Sequence, residues 1–386
     1  MITGIVCEYN PFHNGHLYQI EKAKAMGADK IVCVMSGNFV QRGECAFFDK
    51  HLRAKAAIMC GADVVIDLPT PWAMASAETF ARGSIGLLLN FGIDALSFGC
   101  ETDDEELLRS CAESLKSDET ANLIKKYTAE GASYPTAVSK ALEKTLGEKA
   151  RNIISSPNNT LAVEYIRHLP ENIRLLAIKR QGADHDSDTA KEGIASASMI
   201  RNLGFSEDSF SYVPEKLLSL YKDADRYSLS FGERAILSSL RLMTKDDYAL
   251  YVSDTNGLDM RIYDSVQTAD SLQNLYAWAK SKNYTHSRIR REVMNLYLKI
   301  RKDYSDGTPP YMRILAVSEK GLSLLASAKE NTAVPIITKH SETKNLYGKA
   351  KEIYEAECRN TDLFSLCTEK IKECSIEKKH SLIIVK

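Results

Sequence analysis

Gly4-Ile-Val-Cys-Glu-Tyr-Asn-Pro-Phe-His-Asn-Gly-His-Leu-Tyr-Gln19 changes its hydrophobic period within a short span. Ile2 to Cys7 is an apolar run with a β-branched bias and reads as a buried strand. Glu8 to Phe12 is a polar turn interrupted by proline, and Leu17, Ile20 and Ala23 then recur at helical spacing. Strand, tight loop and helix in that order put the junction at the carboxyl end of a strand. There the next helix start offers unpaired N–H groups and the positive end of its dipole to a phosphate. His13 and His16, three apart at that start, can turn their imidazoles the same way, and Gly15 lets a ligand approach the backbone. The junction suits anions.

The alternation continues outward. Lys30 to Met35, Ala62 to Leu68, Ala95 to Phe98 and Ile173 to Ile178 read as strands, with helices over Asp49 to Cys60 and Ser76 to Phe91. This spacing predicts an α/β fold, a doubly wound parallel sheet with right-handed crossovers over residues 1–225. Residues 103–149 lack strand patterns and read as a helical insertion. Past Arg226 the helices Ser230 to Leu242, Ser271 to Lys282 and Thr285 to Lys302 predict a second, mainly helical domain, 226–386. Tyr311 to Ala316 and a final strand, Ser381 to Val385, are expected to pack on that second domain.

Several loops fall where ligands bind. Ser36 to Glu44 follows a strand end; Asn38 and Arg42 suit a carboxylate or phosphate, with a solvated connector as the alternative. Pro157-Asn158-Asn159 reads as a turn before a helix start, where the amides can cap the helix or face a ligand. Lys179-Arg180 puts positive charge at the end of the fifth strand. Gly182-Ala-Asp-His-Asp-Ser-Asp188 has too short a ligand series for a calcium loop, and no protein metal site is expected.

Hydrophobic residues at 44% and charged residues at 26% of 386 describe an ordinary globular chain, and the net charge of -1 gives no global sign of a nucleic-acid partner. The nine cysteines are odd in number and contain no Cys-x-x-Cys, so they read as reduced thiols of a cytoplasmic protein. With no apolar run near 18 residues and no charged-then-apolar leader, neither membrane insertion nor secretion is expected; nor is an obligate protein partner.

Charge is nevertheless concentrated. Lys280, Lys282, Arg288, Arg290, Arg291, Lys299, Arg301 and Lys302 face only Glu292, a local net of +7. Ile289, Val293, Leu296 and Ile300 form an apolar stripe, which leaves Arg288, Arg291, Asn295, Lys299 and Lys302 along another face. Beside Tyr284 and His286, that face reads either as a nucleic-acid backbone contact, with Lys282, or as a solvated surface.

His13-Asn-Gly-His16 resembles the His-x-Gly-His signature of the nucleotidylyltransferase superfamily; helix capping by surface histidines is the plainer alternative. The resemblance implies ATP, attack at its α-phosphate and loss of pyrophosphate, a reaction that needs donors and cations where charge grows. Magnesium is expected to arrive with the ATP. Ser196-Ala-Ser-Met-Ile-Arg201 is similar to that superfamily's second signature, Ile-Ser-Ser-Thr-x-Ile-Arg, with Ala195 and Ala197 as departures. It implies Ser198 and Arg201 on the β- and γ-phosphates.

Over its length the chain resembles one family, the bacterial tRNA(Met) cytidine acetate ligases. Glu8-Tyr-Asn-Pro-Phe-His-Asn-Gly-His16, Met35-Ser-Gly-Asn-Phe39 with Arg42-Gly-Glu44, Phe98-Gly99 with Glu101, Asn158-Asn159, Ile178-Lys-Arg180, Arg288-Ile-Arg-Arg291 and Thr361-Asp-Leu363 carry the likeness. It implies a ligase that activates acetate as acetyl-adenylate and acetylates N4 of the wobble cytidine of elongator tRNA(Met). ATP would contact Cys7, Glu8, Tyr9, Asn10, Pro11, Phe12, His13, Asn14, Gly15 and His16, then Gly99, Asn158, Asn159, Arg180 and Ser198. His13, His16, Arg180 and Arg201 would carry catalysis. The alternative is an adenylyltransferase that joins AMP to a phosphorylated metabolite, with no tRNA dependence.

Overall fold

A computed structural model describes residues 1–102, 104–180, 193–253 and 257–386. One eight-stranded sheet contains β1 (Ile2–Cys7), β2 (Lys30–Ser36), β3 (Val64–Leu68), β4 (Ala95–Cys100), β5 (Arg174–Lys179), β6 (Met312–Ser318), β7 (Ile336–Ile337) and β8 (Ile383–Val385). Its order is β8-β6-β3-β2-β1-β4-β5, with β7 beside β6. Adjacent strands run parallel, as the α/β reading expects, apart from the antiparallel pair β3–β6. The chain lays β2 and β3 on one side of β1, then crosses to lay β4 and β5 on the other. The crevice above β1 and β4 is the switch point where open α/β sheets bind ligands.

Alternation along β2 explains how both faces are closed. Val32 and Val34 pack with Trp72, Ile85 and Leu88 on one face, while Ile31, Cys33 and Met35 pack with Ile20, Ala54 and Ala57 on the other. A strand buried on both sides reads as an unbroken apolar run, which is how it appears in the sequence. The helices that flank the crevice are α1 (Asn14–Ala25), α2 (Lys50–Met59), α3 (Ala77–Phe91), α4 (Pro157–Arg167) and α5 (Ala197–Asn202). Between β4 and α4, four helices from Glu105 to Ile153 occupy the expected insertion. Pro157 opens α4 as its first helical residue rather than preceding it in a turn; its missing N–H costs nothing there.

The tail departs from expectation. Tyr311 to Ala316 and Ser381 to Val385 supply β6 and β8, the edge of the main sheet, although Tyr311 still packs against Tyr354 of the helical segment. Residues 226–386 therefore divide between helices and sheet. The pairing of β3 with β6 spans most of the chain, and no local period records it. Buried charge fastens this edge. Lys50 Nζ lies 2.5 Å from Asp67 and 2.8 Å from Glu377, and Arg313 Nε lies 3.2 Å from Glu377.

Helix α6 (His286–Leu298) is shorter than its charge pattern suggests. Lys299 adopts a left-handed conformation at φ 54° and ends it, so Lys302 belongs to a separate turn. The stripe Ile289, Val293, Leu296 and Ile300 is buried as expected. A longer helix, α7 (Gly348–Phe364), packs against α6.

Candidate active site

His13 caps α1. Its Nδ1 accepts from the Gly15 N–H at 3.0 Å, and its own N–H donates to Nδ1 of His16 at 3.2 Å. Both δ nitrogens are therefore acceptors. A neutral imidazole in that position carries its proton on Nε2, so each ring keeps one N–H donor for a ligand. The rings lie 3.8 Å apart, and Tyr9, itself at φ 46°, sets its ring edge-on to His16 at 4.8 Å. Burial first, then the charges of Arg180 and Arg201, lower His13 to about 3; burial, His13 and Arg180 hold His16 well below the usual histidine range. At neutral pH the pair consists of uncharged donors beside two guanidinium groups.

The pocket around them has a volume of about 230 Å³. Cys7, Glu8, Tyr9, Asn10, His13, His16, Gly99, Asn158, Arg180, Ser198 and Arg201 all line it. Pro11, Phe12, Asn14, Gly15 and Asn159 stand behind. Phe12 is buried in the core, and Asn14 Nδ2 donates to the Gly193 and Ser211 carbonyls at 3.1 and 2.9 Å. Arg201 also donates to the Asn10 carbonyl at 2.7 Å, which fixes α5 against the first loop. Ser196 caps α5 by accepting from the Met199 N–H at 3.1 Å and lies 3.0 Å from Ser198 Oγ.

Glu101 organises the far wall. Its carboxylate accepts from Asn158 Nδ2 at 2.5 Å, Ser156 Oγ at 3.0 Å and the Asn159 N–H at 3.1 Å, while Asn159 Oδ1 accepts from the Glu101 N–H at 2.9 Å. Both asparagine side chains thus brace the chain just past the end of β4, next to Gly99, and the Glu101 carboxylate seats on the N-terminus of α4.

The loop Ser36 to Glu44 closes the opposite wall. Val40, Gln41, Arg42 and Glu44 line the pocket. Asn38 does not hold a ligand: it is buried, accepting from the Lys50 N–H at 2.9 Å and donating to Thr361 at 3.3 Å. Arg53, which sequence reading passed over, is fully buried and donates to the carbonyls of Glu8, Ser36, Gly37 and Phe48. No spacing marks such a residue, because its partners are backbone groups of three separate loops.

Arg291 is not on an exposed nucleic-acid face. Its guanidinium lies 3.4 Å from the Gln41 carbonyl, and Arg290 pairs with Glu44 at 2.5 Å. The N-terminal half of α6 therefore packs on the pocket loop. Lys282 and Lys299 are exposed, Arg288 stacks over Tyr284 near Glu292, and Lys302 donates to the Ala249 carbonyl at 2.5 Å. The Gly182 to Asp188 loop lies outside the described residues. Among the described residues no three His, Cys, Asp or Glu side chains are grouped to hold a metal ion, and no helix is long and apolar enough to cross a membrane. All nine cysteines are free thiols, eight of them buried.

Comparison with known proteins agrees with this geometry. The model of the HIGH Nucleotidyl Transferase family matches residues 1–379. The tRNA(Met) cytidine acetate ligase of Acetivibrio thermocellus is 34% identical over 95% of this chain and 95% of its own length. That of Thermosipho africanus is 36% identical over 88% of this chain and 85% of its own. The crystal structure of Thermotoga maritima TmcAL, 28% identical, superposes with a TM-score of 0.92 over 100% of both chains; the same protein bound with alpha-thio ATP gives 0.90. The chain belongs to the HIGH nucleotidyl transferase family and, within it, to the family of tRNA(Met) cytidine acetate ligases.

Proposed function

We propose that the pocket binds ATP and acetate, forms acetyl-adenylate with release of pyrophosphate, and transfers the acetyl group to N4 of the wobble cytidine of elongator tRNA(Met). The observation that carries this reading is the pair of neutral Nε2–H donors on His13 and His16, beside Arg180 and Arg201, at the crevice above β1 and β4. In the first step an acetate oxygen bonds to the α-phosphorus and the bond to the bridging oxygen breaks. Charge grows on the phosphoryl oxygens and on the leaving pyrophosphate, where fixed donors and guanidinium groups act most strongly. In the second step the amine attacks the acetyl carbon, AMP departs with the linking oxygen, and the amine loses a proton.

The chemistry explains the order of steps. A free carboxylate is a poor acyl donor and an exocyclic base amine a poor nucleophile, so activation must come first. Magnesium would ride on the phosphate oxygens, since the pocket carboxylates already have partners: Glu8 accepts from the Gln41 N–H at 2.9 Å and Glu44 pairs with Arg290. Lys282 before α6, Arg288 on its first turns and Lys299 at its end are the cations that would meet the tRNA backbone, with Lys302 beyond.

The test is pyrophosphate release from ATP with acetate, with and without elongator tRNA(Met), followed by nucleoside analysis of that tRNA. Acetate-dependent release with N4-acetylcytidine at the wobble position is expected. Release that ignores acetate and tRNA but responds to a phosphorylated metabolite would overturn the reading.

A further inference from the structure

A second cavity, of about 590 Å³, shares no lining residue with the His13–His16 pocket and lies between the turn His340–Asn345 and one face of α7. Lys351, Tyr354, Glu355, Cys358, Arg359 and Asp362 recur at three- and four-residue spacing and so share that face. Tyr354 and Cys358 are buried and form the floor, with Tyr354 Oη 3.2 Å from His340 Nδ1. Lys344, Lys351, Arg359 and Lys378 form the walls, all exposed. Of the two carboxylates there, Asp362 is already committed, accepting from the Ser375 N–H at 2.6 Å. An open cleft walled by cations suits a polyanion that lies across it. Lys351 and Arg359 are two turns apart, about 12 Å along the helix, a span longer than one phosphate group.

A second observation selects the kind of polyanion. Tyr347, the residue that precedes α7 and lies three positions beyond Lys344, is 79% exposed. A large aromatic ring standing in solvent beside a row of cations is the arrangement that holds unstacked RNA bases next to their backbone. We propose that this cleft is a second RNA anchor, which takes backbone phosphates of the tRNA on Lys344, Lys351, Arg359 and Lys378 and stacks a base on Tyr347. The proposal rests on tRNA being a substrate. It separates binding into two footprints: α6 at the reaction pocket, and the cleft on α7, which packs against α6.

Equilibrium binding of elongator tRNA(Met) to the full chain, measured across a salt series, tests it. The triple variant K351A/R359A/K378A should bind roughly 10–100-fold more weakly at low salt, with a log–log salt slope smaller by about two. Y347A should lose about tenfold with its slope unchanged. Thermal unfolding checks that the variants fold, and these side chains lie outside the reaction pocket, so pyrophosphate release with acetate should persist. Unchanged affinity and slope in the triple variant, with wild-type binding intact, overturns the cleft assignment alone. Tight binding of inorganic phosphate that the variants lose while keeping tRNA would make it a small-anion site instead. Wild-type protein that binds no tRNA overturns both this inference and the reading beneath it.

Discussion

His13 donates its backbone N–H to Nδ1 of His16 at 3.2 Å while its own Nδ1 accepts from Gly15. Each histidine is thus oriented by its neighbour's backbone, and both keep Nε2–H for the ligand. Replacing His16 by Ala removes a donor without touching α6 or α7. Adenylation, read as acetate-dependent pyrophosphate release, should fall by about 10²–10³, while tRNA affinity stays within twofold. Loss of tRNA binding with intact adenylation would refute this division of labour.

The same pair should mark acid stability. The folded pKa of His13, about 3, lies below the unfolded value of about 6.5. Between those values the unfolded chain binds the extra proton, so stability rises with pH across the window and is lost as pH falls through it. The slope due to His13 is at most about 1.4 kcal/mol per pH unit. His13→Asn keeps a capping oxygen but cannot titrate. Denaturant unfolding from pH 7 to pH 4.5 should show a shallower loss for this variant than for wild type; parallel curves would contradict the buried neutral state.

Glu101 touches Asn158, Ser156 and Asn159 but is not itself among the residues that line the pocket. It acts as a positioning residue for Asn158 and for the end of β4, where Gly99 lies. Glu101→Ala should raise KM for ATP about tenfold, with a smaller change in kcat, and lower stability by about 1 kcal/mol through the lost cap. A purely structural role would lower stability and leave KM unmoved.

Much of this was legible in the sequence because it is local. The strand, loop and helix around His13, the β/α alternation and the insertion after Cys100 all follow from hydrophobic period and turn residues. What stayed hidden depends on contacts across the chain. β6 joins the sheet through β3, hundreds of residues away, and β8 follows it onto that edge, while Arg53 serves backbone carbonyls that leave no side-chain pattern. The basic run after Lys280 was visible as charge, but not as geometry. Lys299 breaks the helix, and Arg291 turns inward to Gln41, so the face drawn from spacing divides into an exposed part and a packed part.

The ion cluster at the sheet edge should be costly to break. Lys50 and Glu377 are both about 1% exposed, and burial alone would pull the Lys50 pKa down; Asp67, Glu377 and Glu357 outweigh it and hold the group charged. Lys50→Met leaves Asp67 without its cation and Glu377 with Arg313 in place of two partners, and unfolding by denaturant should show a loss of about 3–5 kcal/mol. A loss below about 1 kcal/mol would mean that the edge strand is held by apolar packing instead.

Gly43 is the point where the helical segment meets the pocket. Its φ is +73°, and a Cβ there would sit 2.5 Å from the Arg291 backbone nitrogen and 2.6 Å from the Arg290 carbonyl carbon. No side chain can bend out of that contact, so Gly43→Ala must move α6 or the loop. The left-handed backbone and the clash together should cost about 2–4 kcal/mol. The neighbouring Arg290–Glu44 pair is over a third exposed on both sides, and a double-mutant cycle there should give only about 0.2–1 kcal/mol. Close packing at Gly43, more than the ion pair, then sets the register between α6 and Gln41, whose N–H reaches back to Glu8. If so, Gly43→Ala should lower both pyrophosphate release and acetyl transfer, whereas Arg290→Ala should leave pyrophosphate release within about threefold of wild type. An Arg290→Ala protein as impaired as Gly43→Ala would return that role to the ion pair.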